Sequence, residues 1–360
     1  MKSRLAWCGL IAALGWIAPL HAATFCVDTA AELQDALNTA AGNGEDDTIL
    51  VKTGTYTGGS AVAFSYSTSQ NNSLTLEGGW FSASMLDCFF FVDDPTQTVL
   101  SGSDARPVLY MGGTAGTAGA ITVRNLTIRD GNSASDAGGL KVDGPAGYAG
   151  AVLVDRVFVD GNVAATLAGG AYLYSDGGTV RLRDSWFNGN RCGSNICAAE
   201  VIVNGTQPSQ FATIGSNTFT GNACSAGAPP SCSNGGLYVG GTALFAVYNN
   251  AFYANGGTDL RLQAGNTNVA GNSLHIRDGV APVLAYGNID PQDPGFVDAA
   301  GGDFRLLFGS PLRNGGVGGY EYGSLDFDGN PRLNDSQYDI GAFENQDVVF
   351  RDNFEPGVEG

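Results

Sequence analysis

The chain has 360 residues, 54 of them glycine, and its 35 acidic residues outnumber 17 basic ones, for a net charge of −18. A surface of that sign repels nucleic acid and anionic lipid, so neither is expected as a partner. After the first two dozen residues no stretch is long and apolar enough to cross a bilayer as a helix, so no transmembrane helix is expected.

Residues 1–22 read as a signal peptide. Lys2 and Arg4 precede an apolar run from Leu5 to Leu20, and Leu20-His21-Ala22 fits a cleavage site before Ala23. Cys8 lies inside this run, but Trp7 before it and its early position argue against a lipoprotein signal. Removing the segment leaves 15 basic residues against 35 acidic, a net charge of −20. Six cysteines remain: Cys26, Cys88, Cys192, Cys197, Cys224 and Cys232. An even count in an exported chain implies disulfides, with about 15 possible connectivities for three bridges. Cys26 and Cys88 are expected to pair near the start of the fold. The other four could close local loops (Cys192–Cys197 and Cys224–Cys232) or bridge neighbouring segments. Zinc is the competing reading, but no histidine accompanies them and their spacing is irregular.

The first folded element is an amphipathic cap over residues 24–42. Thr29-Ala30-Ala31-Glu32 is a capping box, and Leu33, Ala36, Leu37 and Ala40 fall on one helical face before Gly42 ends it. Strands follow at 47–51, 54–56, 73–80 and 98–102. Then a turn ending on asparagine recurs five times, at Asn132, Asn162, Asn190, Asn222 and Asn255, in steps of 30, 28, 32 and 33 residues. That is the period of a stacked repeat. Gly138-Gly139-Leu140, Gly169-Gly170-Ala171 and Gly235-Gly236-Leu237 each open an alternating apolar and polar run, the pattern of strands with one face buried. The reading is an all-β solenoid, a single parallel β-helix with three strands per coil, over residues 23–289. Its asparagines are expected to form a hydrogen-bonded ladder between strands about 4.8 Å apart. Phe158, Phe187, Phe219 and Phe252 are expected to stack inside as an aromatic ladder. From residue 290 to 344 proline and turn residues rise, and 345–360 reads as an acidic tail.

Two resemblances attach to these residues. The Gly-Gly-Ala-Tyr172 opening with Phe-x-x-Asn turns, over about residues 121–260, is similar to the paired repeats of chlamydial polymorphic outer membrane proteins, which implies a right-handed β-helix. Asp293-Pro294-Gly295-Phe296, Asp303-Phe304-Arg305-Leu306, Gly309-Ser310-Pro311, Asp328-Gly329-Asn330-Pro331-Arg332 and Asp339-Ile340-Gly341-Ala342-Phe343-Glu344 follow in order. That series resembles the choice-of-anchor Q domain at the ends of bacterial surface and secreted β-helix proteins. Val349-Phe350-Arg351-Asp352-Asn353-Phe354-Glu355 resembles a tail on exported proteins of xanthomonad-type bacteria. Its Asn353 stands where a small residue is usual, and Pro356 to Gly360 extend beyond it. The resemblances imply a fold and an address, secreted or at the outer membrane of a Gram-negative cell, but no reaction.

Chemistry is sparse. A polygalacturonase-type hydrolase needs grouped aspartates with a Gly-His-Gly and a nearby basic pair, and the chain beyond residue 22 has only His275. His275 itself reads as an ordinary strand residue rather than a catalyst. Lyases need a base, with calcium or arginine against the uronate carboxylate, and Lys141 and Arg156 qualify by residue type. Asp130 and Asp160 each precede Gly-Asn. Stacked in register they would lie about 5 Å apart, within the spacing of a retaining glycosidase pair or inviting a cation. That position becomes Asn188, Thr220 and Ala254 in later repeats, and Asp-Gly is also ordinary turn chemistry. Asp326 and Asp328 in Asp326-Phe327-Asp328-Gly329-Asn330 suggest the start of a calcium loop but lack its later ligands, leaving a hairpin turn as the better reading. Structural calcium is therefore the one cofactor these acidic turns suggest.

The expected function is a non-enzymatic exported protein that binds glycans or cell-surface partners. The rival is a polysaccharide lyase or hydrolase with a divergent site at Asp130, Asp160, Lys141 and Arg156. A self-assembling surface-layer component is the third. No outward aromatic row is legible to favour the first.

Overall fold

The computed structural model describes residues 22–83, 86–320, 322–334 and 336–346. The predicted signal segment (bar Ala22) and the predicted tail from 347 onward lie outside the described residues.

Among the described residues the chain is a parallel β-helix of three sheets with one α-helix, followed by an antiparallel strand pair, Phe296–Asp298 with Asp303–Leu306. The first sheet runs through Ala23–Val27, Asp47–Lys52, Leu74–Ala83, Ile121–Arg129, Ala151–Asp160, Thr179–Arg183, Phe211–Gly215, Leu244–Tyr248, Thr267–Ala270 and Leu284–Tyr286. The second is narrow: Asn132–Ser133, Val163–Ala164, Arg191–Cys192 and Ala223–Cys224. The third stacks Phe64–Thr68, Leu109–Gly113, Leu140–Gly144, Ala171–Asp176, Ala199–Asn204, Leu237–Gly241, Leu260–Leu262 and Arg277–Gly279.

Alternation explains which side faces in. Within Ala151–Asp160, Val152 and Val154 are buried, as are Val157 and Val159. The jump from 154 to 157 marks a crease at Arg156, whose φ of 51° turns the strand and resets the side-chain phase. Asn125, Asp184, Ser216 and Asn249 hold the left-handed conformation in the neighbouring coils, and beyond this crease the first sheet continues as Trp186–Asn188, Thr218–Thr220 and Ala251–Tyr253.

The helix is Ala30–Ala40, with both bonds of the Thr29–Glu32 capping box formed and Leu33, Ala36, Leu37 and Ala40 buried. It also seals a sheet edge. Gln34 donates from Nε2 to Ser65 O at 2.8 Å and accepts from Ser65 N at 2.9 Å, so its side-chain amide stands in for a missing strand beside Phe64–Thr68.

Asparagines do ladder up the coils, in a register the spacing misjudged at its start. Asn162 donates from its backbone to Asn190 Oδ1 at 3.0 Å, Asn190 to Asn222 at 3.0 Å and Asn222 to Asn255 at 3.1 Å. Asn132 is exposed and outside the ladder; it pairs with Val163, and Gly131 N takes the bond to Asn162 Oδ1. The first repeat is thus slipped by one residue. A second, unforeseen ladder runs from Ser185 through Asn217, Asn250 and Asn272 to Asn288, each backbone amide donating to the next side-chain oxygen.

The aromatic stack is corrected as well, because Phe158 lies four residues before Asn162 and Phe187 three before Asn190. Phe187, Phe219 and Phe252 stack inside, with centroids 5.0 and 4.8 Å apart. Val159 fills that position one coil earlier, and Phe158 pairs with Trp186 on the outside. There the chain from residue 290 returns along the solenoid's flank. Phe296, Phe304, Phe327 and Phe343 form a second apolar cluster that packs on Phe158, Trp186 and Tyr253. Beneath it Arg332, 1% exposed, lies 3.5 Å from Asp184 and 3.6 Å from Glu344, both equally buried. Two carboxylates share this guanidinium, and burial drives both of their pKa values up.

Three disulfides are present: Cys26–Cys88, Cys192–Cys197 and Cys224–Cys232. The last two are the local pairings rather than bridges between coils.

Candidate functional site

Asp130 and Asp160 do not stand in register. Asp160 pairs in register with Arg129, and its side chain accepts from Asn188 Nδ2 at 2.9 Å. Asp130 sits one residue later, 2.8 Å from Arg129 Nε. Burial raises the Asp160 pKa, and Asp130 adds only the smallest contribution. In later coils the Asp160 position is Asn188, Thr220 and then Tyr253, not Ala254. Arg156 is buried at the crease against Asp93, 2.7 Å away. Its outward neighbours in the first sheet are an alternating charge ladder in register, Glu77, Arg124, Asp155 and Arg183. Lys141 lies on the third sheet, a different face from Asp130, Asp160 and Arg156. The four candidates therefore share no site.

Asp326 accepts from the backbone amides of Asn330 at 2.6 Å and Glu344 at 2.9 Å, holding the turn closed by the antiparallel bridge Leu325–Pro331. Asp328 is exposed at its tip. A carboxylate already accepting two amides is a turn organiser first and a metal ligand second.

Across the outside of the third sheet lies the surface that sequence reading missed. Ser65, Tyr110, Lys141, Tyr172, Glu200, Tyr238, Arg261 and Asp278 stand in register on successive coils. Their flanking residues Leu109, Leu140, Ala171, Ala199, Leu237 and Leu260 are buried, which fixes the row as outward. Tyrosine recurs on every second coil from Tyr110 through Tyr172 to Tyr238. At one strand spacing per coil the rings repeat about every 9–10 Å along the axis. Two residues further along two of these strands stand Gly112 and Gly240. A Cβ at Gly112 would sit 2.6 Å from Tyr110 Oη, and one at Gly240 would sit 2.8 Å from the Tyr238 ring. The missing side chains let both tyrosines lean over the sheet. Tyr172 is bracketed instead by Lys141, whose Nζ lies 5.4 Å from the ring centroid, and by Tyr174, with centroids 6.3 Å apart.

Glu200 is the chemically distinctive member of the row. It sits between Tyr172 and Tyr238, is only 5% exposed, and its Oε2 has no hydrogen-bond partner among the described residues. Burial, reinforced by Asp136, pushes its pKa up to about 7. It borders a cleft of about 370 Å³ lined also by Leu167, Asn195, Tyr238, Arg261 and Val280. Burial comes first and Glu200 second in raising the Tyr172 pKa to about 12, so the phenol stays protonated.

His275 lies in a larger cleft of about 540 Å³ where the last coils meet the returning arm. Its Nδ1 is 3.0 Å from Asp290, and its backbone amide donates to buried Asp259 at 2.9 Å. The ring is three-quarters exposed. Asp259 also accepts from Ile276 N and from Asn255, the end of the first ladder, so the carboxylate fastens the final turn.

The signal for the third-sheet row was present but unaligned. Leu140–Gly144, Ala171–Asp176 and Leu237–Gly241 each follow a glycine pair, and the outward residue comes second after it. Cys197-Ala198-Ala199-Glu200 disguises this in the third repeat. No protein-family model matches the chain, and no curated protein matches it either. The likenesses to polymorphic outer membrane protein repeats and to the choice-of-anchor Q domain thus rest on the residues quoted above.

Proposed function

We propose that this is an exported β-helix protein, displayed at a Gram-negative cell surface or released, that binds an extended glycan along its third sheet. The observation that carries the reading is the in-register row of Tyr110, Tyr172 and Tyr238 alternating with Lys141, Glu200 and Arg261. A polysaccharide is itself a repeating rod, and a β-linked disaccharide unit is about as long as two coil steps. Tyrosine offers an apolar face to a sugar ring and a hydroxyl to its rim. Rigid sheet residues lose little freedom on binding, which favours affinity from a modest set of contacts. A net charge of −20 on the exported chain argues for neutral glycans over strongly acidic ones.

One observation supports an enzymatic reading beside it. A carboxyl group with a pKa near 7 in a cleft is suited to act as a general acid, and Glu200 has that property. The test is one experiment with two readouts. Purified protein is incubated with neutral and uronate-containing polysaccharides, with and without calcium. Retention on the polymer and release of reducing ends or unsaturated products are both followed. Retention without product, abolished in a Tyr110→Ala/Tyr172→Ala double variant, supports the binding reading. Product formation that fails in Glu200→Gln replaces it with the enzyme. Neither result leaves the row without a glycan role and returns attention to protein partners.

A further inference from the structure

The second sheet brings four cysteines to one corner of the solenoid. Cys192 and Cys224 end the neighbouring strands Arg191–Cys192 and Ala223–Cys224 and pair in register. Cys197 lies on the loop leading to Ala199–Asn204, and Cys232 on the loop that follows Cys224. All four sulfur atoms lie within 4.8 Å of one another, although they belong to two different coils. Sγ of Cys192 is 3.6 Å from Sγ of Cys232, its neighbour in the other disulfide. Cys192 and Cys197 are fully buried, and the other two are half-buried.

Four thiolates in tetrahedral array around zinc, at about 2.3 Å each, have sulfur–sulfur edges of about 3.8 Å. The sulfurs of the two bridges already lie within 4.8 Å of one another, each disulfide's own edge opens from bonding distance on reduction, and two ligands are fixed by backbone pairing. We infer that this corner is a two-state site: two disulfides when oxidised, and a tetrathiolate site for one divalent zinc-class ion when reduced. The conversion balances simply. A dithiol reductant gives each bridge two electrons and two protons and leaves as its own disulfide, producing four thiols. One metal ion then displaces four protons as the thiolates bind. The topology changes with it, because each disulfide stays within its own coil, whereas the metal would tie the two coils together. Reduction need not unfold the corner, since the bridged residues are only 5 and 8 apart and short loops lose little entropy on closing. Register is held by the strands.

The experiment uses the whole purified protein, reduced without oxygen by a phosphine, with free thiols counted. Cobalt(II) is then titrated as a spectroscopic stand-in for zinc. One equivalent should bind with the intense visible and near-ultraviolet bands of a four-thiolate tetrahedral site, and zinc should displace it. A Cys26→Ser/Cys88→Ser variant should keep the full stoichiometry and bands, while Cys192→Ser/Cys224→Ser should lose them. The unreduced protein should show neither. Binding below one equivalent by reduced, folded protein overturns the inference, as do bands that persist in the Cys192/Cys224 variant. Should the reduced chain lose its far-ultraviolet dichroism, failure of zinc to restore it also overturns the inference.

Discussion

Trp186 stacks on Phe158 across two coils on the outside of the solenoid, with centroids 4.2 Å apart and planes 12° from parallel. Phe304, Phe327 and Phe343 meet the Trp186 ring edge-on from the returning arm. This pair is therefore the floor on which the carboxyl-terminal region rests, separate from the internal stack of Phe187, Phe219 and Phe252. Replacing Trp186 with alanine should weaken the arm's docking by about 3 kcal/mol and leave the coils intact. Limited proteolysis should then cut first within residues 290–346, whereas Phe187→Ala should lower the main unfolding transition instead.

The slipped first repeat gives a contrast between two asparagines that look alike in sequence. Asn190 is fully buried and exchanges side-chain bonds with both neighbouring coils. Asn190→Ala should cost about 2–4 kcal/mol, because it strands buried donors and acceptors on each side. Asn132 is exposed, and Asn132→Ala should stay within about 0.5 kcal/mol of wild type. Chemical denaturation of the two variants checks both values.

Glu200 makes stability depend on pH in a direction unusual for a carboxylate. Its folded pKa of about 7 lies above the ordinary 4.5, so between those values the folded state holds a proton that the unfolded state releases. Stability is full below the ordinary value and falls as pH rises through about 7. The span is worth ~3 kcal/mol. Glu200→Gln should flatten that slope, leaving the variant more stable than wild type at pH 8 and similar at pH 4. Melting temperatures across this range decide the matter.

Arg332 neutralises buried acid beneath the arm. Arg332→Met leaves Asp184 and Glu344 buried without the guanidinium they share, which should destabilise the arm by about 3–5 kcal/mol. Their raised pKa values mean that acid should rescue the variant, since protonation removes the uncompensated buried charge. Proteolytic release of the arm at pH 8 but not at pH 5 is the expected result.

Period and alternation were enough to read the solenoid, the Ala30–Ala40 cap and three strands of the third sheet, those after the glycine pairs, because these are local properties of one chain segment. Leu33, Ala36 and Leu37 lie on one helical face in any context, and Val152 and Val154 share one side of any strand. Which residue of one coil lies over which residue of the next is not local. One left-handed residue, at Asp130 in the first repeat and at Gly161 in the second, sets the phase there. Asp130 consequently faces Gly161 and Asn132 leaves the ladder, while the crease at Arg156 sets the phase that turns Phe158 outward.

The candidate site followed the same division. Tyr110, Lys141, Tyr172, Glu200 and Tyr238 are scattered over 129 positions of sequence, each an unremarkable polar neighbour of a buried residue. Stacking at one strand spacing turns them into a row, and burial between two tyrosines changes the acidity of one of them. The sequence by itself determined the fold class, because backbone pairing needs only alternation and turns repeated at a constant interval. Only the tertiary structure decided the surface, the shared arginine and the four-sulfur corner, because each depends on register between coils, where a one-residue shift changes every neighbour.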